Sequence, residues 1–108
     1  MIFDINEVIA DILKKVKGIA EDDWNDIRDV VSKIMENKKS RFELYAKRRL
    51  SGDYTQEDLE MRLDDEKEIT SAELHVISII KKAEAQKIAN AAIDIVNKAI
   101  KTAINAAF

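Results

Sequence analysis

Three groups of side chains in this 108-residue sequence are of types that could do chemistry. His75, the one histidine, has Ser71 four residues before it and Ser78 three after it on the same helical stretch. Asp64, Asp65 and Glu66 are adjacent carboxylates of the kind used in acid–base work. Lys38, Lys39, Arg41, Lys47, Arg48 and Arg49 form a basic run interleaved with Phe42 and Tyr45, as nucleobase stacking would want.

None of the three completes a site. A di-iron helical bundle needs Glu-x-x-His, so that two ligands project inward one turn apart. Here Ala72 stands three residues before His75, and Glu73, two residues away, points to another face. A dimer could pool Glu43, Glu73 and two copies of His75, but nothing in the spacing demands it. No sharp turn presents Ser71 or Ser78 as a nucleophile. Gly18 and Gly52 stand alone, so there is no glycine-rich phosphate loop. Cysteine is absent, which removes disulfides, thiolate metal sites and cysteine nucleophiles. No catalytic residue, metal or cofactor is assigned, and no enzyme activity is expected. Nucleic acid is not an expected partner either. The chain carries a net charge of −3, and an acidic block follows the basic one.

Those charge blocks point to the elements behind them. Residues 37–51 hold the basic run against only Glu43, and residues 53–68 hold eight acidic residues against Arg62 and Lys67. Between them, Gly52 is a natural C-cap, and Thr55 with Asp58 forms a capping-box-like pair. Reversal at Gly52 would set Arg41 near Asp64 and Asp65, and Lys38 near Glu66 and Glu68. There is no proline, which argues for a few long helices. Ile2, Ile5, Ile9, Ile12, Val16 and Ile19 alternate at three and four residues, predicting an amphipathic helix over 2–17, with Gly18 as its end or kink. Trp24, Ile27, Val31 and Ile34 continue the seam in a second helix over 22–50. After a turn at 51–55, no strong stop follows. Residues 56–107 therefore read as one helix of roughly 75 Å, with a phase slip near Glu84–Lys87 resembling a stutter. The expected fold is all-α: a single long antiparallel hairpin with a kinked N-terminal arm, dimerising into a four-helix-type bundle.

The strongest functional lead is the segment 83–108, rich in alanine and isoleucine and ending in Phe108. Lys87, Asn90, Asp94, Asn97, Lys101 and Asn105 form one polar stripe, and the remaining surface is apolar over more than half the circumference. One facing helix cannot cover so wide a face. Ile88, Ala92, Ile93, Val96, Ala99, Ile100, Ala103 and Ile104 are therefore expected to pack against another chain, as a homodimer or higher homo-oligomer. A heterologous helical partner or a membrane surface is the other possible cover. The asparagine-dominated stripe disfavours the membrane. The acidic start Met1-Ile2-Phe3-Asp4 and the lack of a long apolar run predict a cytoplasmic protein, with export lacking a cleavable signal left open.

In size and expected shape the chain resembles the Trp-x-Gly class of small secreted helical hairpins, which are acidic, cysteine-free and dimeric. The turn here reads Ser51-Gly52-Asp53 instead of Trp-x-Gly, and Tyr54 with Asp58 spells Tyr-x-x-x-Asp at the turn, not in the tail. The resemblance is one of shape, and it implies an exported or membrane-active hairpin as the alternative to a non-enzymatic, self-associating structural or adaptor protein.

Overall fold

Asp4 starts the first helix. Its Oδ1 accepts from the backbone N–H of Asn6 at 3.0 Å and of Glu7 at 3.4 Å, satisfying donors that a helix N-terminus leaves free. In this computed structural model, which describes residues 3–76 and 80–107, α1 then spans Ile5–Ala20. Its buried stripe is Ile5, Val8, Ile9, Ile12 and Val16. Ile2 of the expected seam lies outside the described residues. Gly18 does not end the helix. It lies within α1, which stops at Glu21, where φ of 50° carries the chain out of the helical region.

A 3-10 turn at Glu21–Asp23 leads into α2 (Trp24–Asn37) and α3 (Lys39–Ser51). The helix expected over 22–50 is thus interrupted at Lys38. The interruption re-phases the chain so that Lys38, Phe42 and Ala46, spaced by four, all turn inward. Gly52 closes α3 at φ 87°, its N–H donating to the Arg49 carbonyl at 3.3 Å. Thr55 opens α4 (Gln56–His75) with a reciprocal cap: its Oγ1 accepts from the Asp58 N–H at 3.1 Å, and Asp58 Oδ2 accepts from the Thr55 N–H at 3.0 Å.

The largest departure from expectation follows. The single helix predicted over 56–107 is two. α4 ends at His75, Val76 lies in a turn, Ile80 at a bend, and α5 runs Lys82–Ala107. Val76, Ile77, Ile79 and Ile80 are β-branched with Ser78 among them, a run with low helix propensity. Ser78 and Ile79 lie outside the described residues, as does Phe108.

α5 returns antiparallel along α4. Lys67 Nζ lies 2.9 Å from Asp94, Lys101 Nζ lies 3.7 Å from Glu60, and Gln56 Nε2 donates to Asn97 at 3.3 Å. α1 packs antiparallel on another side of α5, with residues 3–11 beside 95–106 and residues 11–21 beside 87–95. The protein is all-helical, with no strand among the described residues. Its extents are 42 × 22 × 19 Å, well short of the expected rod, so the shape resemblance to a long two-helix hairpin does not hold.

Candidate interaction groove

The expected interaction face mostly lies inside the molecule. Ile88, Ala92, Ile93, Val96 and Ile100 have no exposed surface and Ala103 is buried, while Ala99 and Ile104 are partly buried. The width of the apolar face does require more than α1 to cover it. The missing cover is α4 of the same chain, made available by the reversal after His75. This face therefore needs no second chain to bury it, and any docking surface must be sought on its flank.

The residues considered for chemistry are dispersed. His75 is exposed at the end of α4, whereas Ser71 is buried one turn before it. Among the described residues, no group of three or more His, Cys, Asp or Glu is placed to hold a metal ion. Phe42 is fully buried and unavailable for stacking. Of the three adjacent carboxylates, Asp64 and Asp65 are exposed and Glu66 is 2% exposed.

Glu66 is the centre of an ionic seam between α3 and α4. Lys38 Nζ reaches Glu66 Oε2 at 3.3 Å and Glu73 Oε1 at 2.7 Å. Arg41 Nη1 donates to Glu66 Oε1 at 2.7 Å, and the Tyr45 hydroxyl donates to the same oxygen at 3.2 Å. Arg41 and Tyr45 are one turn apart on α3, with Lys38 at its N-cap, and Glu66 and Glu73 are two turns apart on α4. Burial, the Glu66 charge and the Glu66 hydrogen bond together push the Tyr45 phenol up to about 12. The same carboxylate raises Arg41 above its ordinary value. One turn beyond Glu66, the buried Thr70 Oγ1 has no hydrogen-bond partner among the described residues. This arrangement offers neither an open cavity nor a free nucleophile; it is a structural clamp that spends its polar groups on each other.

The open feature lies between α1 and α5. Two hollows of about 420 and 740 Å³ lie end to end and share Asp11 and Ile95, so they form one trough. Its α5 wall is Ala91, Ile95, Ala99, Thr102 and Ala106, which share the helix flank next to the buried stripe. Val8, Gly18 and Ile19 contribute from α1. From Lys87 to Ala106 the trough runs roughly 28 Å at about 1.5 Å per residue. Its rim is divided by charge. Near the α1 N-terminus stand Asp4, Glu7 and Asp11 with Lys98; toward the α1 C-terminus stand Lys14, Lys15 and Lys87 with Glu21. Ala99 and Ala103 are the residues of the expected face that border the trough. Ala91, Ile95 and Ala106 were missed, because reading the apolar arc as one surface hid the difference between its centre and its edge.

Such a trough, apolar along its floor and lined by small side chains, can seat the apolar face of a helix. No helix among the described residues is long and apolar enough to cross a membrane. No protein-family model matches this sequence, and no curated protein or solved structure is significantly similar to it.

Proposed function

We propose that this protein is a non-enzymatic, self-associating structural or adaptor protein that docks helices in the trough between α1 and α5. The trough carries this reading: an apolar strip about four to five helical turns long, placed beside a core that the chain closes by itself. Its alanines and Gly18 leave room for a close helix–helix approach of about 8–10 Å. The surface assigned to association thus moves from the centre of the α5 apolar arc to its α1-side edge.

The test is Ile95→Asp. It places a charge on the trough floor, where the wild-type side chain is only partly buried. Light scattering of the wild type at micromolar concentration should report more than one chain per particle. Ile95→Asp should be monomeric, with its far-ultraviolet circular dichroism unchanged. A wild type that stays a folded monomer would overturn the reading.

A further inference from the structure

The trough divides its charge along the α1 rim in a way that a two-fold rotation matches end to end. The α5 strip reads Ala91, Ile95, Ala99: small, large, small, and the same in either direction. Gly18 and Val8 lie toward opposite ends of the α1 side. Along α1 the rim reads Asp4, Glu7, Asp11 and then Lys14, Lys15. These rim residues are exposed, and none of Glu7, Asp11, Lys14, Lys15 or Lys87 takes part in an ion pair among the described residues. Elsewhere the chain does use its charges, at Lys38 with Glu66 and Glu73, and at Lys67 with Asp94. Along α1, an acidic stretch followed by a basic one, with Lys98 and Glu21 the exceptions at the two ends of the groove, matches a partner with the same division in reverse.

We propose that the occupant of the trough is a second copy of this chain, related by a two-fold axis that passes near Ile95 and runs perpendicular to α1 and α5. This rests on the self-association reading above and adds its geometry. The axis lays the two α1 helices antiparallel. Glu7 of one copy then faces Lys15 of the other, twice over by symmetry, while Asp11, level with Ile95, meets its own counterpart beside the axis within reach of Lys14. On α5, Ile95 meets its own counterpart, and Ala91 of each copy meets Ala99 of the other. Setting α5 of the second copy on α1 would instead place Lys14 and Lys15 against Lys87, where like charges repel, and leave Lys98 as the single basic partner for Asp4, Glu7 and Asp11. The two-fold also closes the assembly, because the groove that binds is the groove that is bound.

The footprint fixes the strength. A patch roughly 28 Å long and about 18 Å wide covers on the order of 500 Å² per copy. Two copies reach only the roughly 1,000 Å² threshold of specific interfaces, so the dimer is a weak, reversible one.

The experiment is complementation by charge reversal, read by sedimentation velocity over a micromolar concentration series. One variant carries Glu7→Lys and Asp11→Lys; the other carries Lys14→Glu and Lys15→Glu. All four positions are exposed, and Asp4 is left alone because it caps α1. Circular dichroism checks the helix content of each. Each variant alone should dissociate at least tenfold more readily than the wild type, and an equimolar mixture should recover wild-type dimer. If the wild type dimerises and both variants dimerise as well as it does, the geometry is wrong while self-association stands. If the variants dissociate and the mixture does not recover, the antiparallel pairing is wrong. Open-ended oligomers growing with concentration would overturn the two-fold. A monomeric wild type would remove the self-association reading itself.

Discussion

The two flanks of this molecule join helices by opposite means. Between α3 and α4, Lys38, Arg41 and Tyr45 converge on the buried carboxylate of Glu66. Between α1 and α5 the contact is made by alkyl groups, with Ile12, Val16, Ile88 and Val96 all without exposed surface. A directional polar contact fixes one register, because a shift by one residue strands a buried charge. An alkyl contact is non-directional and grows with area. The ionic flank therefore closes on itself, while the apolar flank ends in an edge that can take more apolar surface. The open apolar edge lies where the chain used its least directional force.

The sharpest way to break this comparison is a pair of substitutions two residues apart on α5. Ile93→Asp should unfold the protein, since an unpaired carboxylate in the core costs several kcal/mol. Ile95→Asp should cost only about 1 kcal/mol by urea denaturation, because its site opens on the trough. Equal losses would mean that the trough belongs to the core. Next comes the ionic flank. Lys38→Met should cost about 3 kcal/mol, toward the low end for a broken buried pair because Arg41 and Tyr45 still hold Glu66. Adding Glu66→Leu should return part of that loss, and a double variant no better than Lys38→Met would show that the seam is not an isolated charge cluster.

A smaller effect is expected at the turn that brings the two charge blocks together. Gly52 sits at φ 87°, and a methyl group added there would meet nothing within 4 Å, so any penalty is backbone strain and not a clash. Gly52→Val should lower stability by about 1–2 kcal/mol, and Gly52→Ala by less. A higher melting temperature for Gly52→Ala would contradict the left-handed turn. The smallest effect is a pH effect. The Tyr45 phenol is raised from 10.0 to about 12, so its proton is held more tightly in the folded chain. Its contribution is complete below about pH 10 and is lost as the pH climbs toward 12. Tyr45→Phe should flatten that part of the stability curve relative to wild type, and identical alkaline slopes would remove Tyr45 from the seam.

The helical class was legible because three- and four-residue spacing of aliphatics and the lack of proline leave little else to form. The turn was legible too, since Gly52 and the Thr55–Asp58 pair are local signals whose geometry depends on few distant contacts. The reversal after His75 was not, because neither glycine nor proline marks it. The signal was present in another form, as the β-branched run from Val76 to Ile80, whereas the phase slip read near Glu84–Lys87 falls inside α5 and does not mark the break. The error carried through to the site. With α4 and α5 read as one rod, Ile88, Ile93 and Ile100 had no cover inside the chain, so a partner was invoked for them. Lys38 was legible as a partner for Glu66, one helix opposite the other across a short turn. Its additional contact with Glu73 depends on how α3 and α4 cross, which no spacing in the sequence encodes.

The seam between α1 and α5 also has a place in time. It joins Phe3 and Val8 to Ala99 and Ala106, nearly the whole chain apart, whereas α4 meets α5 across a short connection. Closing the longer loop loses more chain entropy before any contact forms. The α4–α5 pair should therefore belong to the folding nucleus and α1 should dock afterwards. In stopped-flow kinetics, Leu63→Ala should slow folding, while Val8→Ala should mainly speed unfolding. The reverse pattern would put α1 in the nucleus. On this order of events, the trough is the last surface the chain completes as it folds.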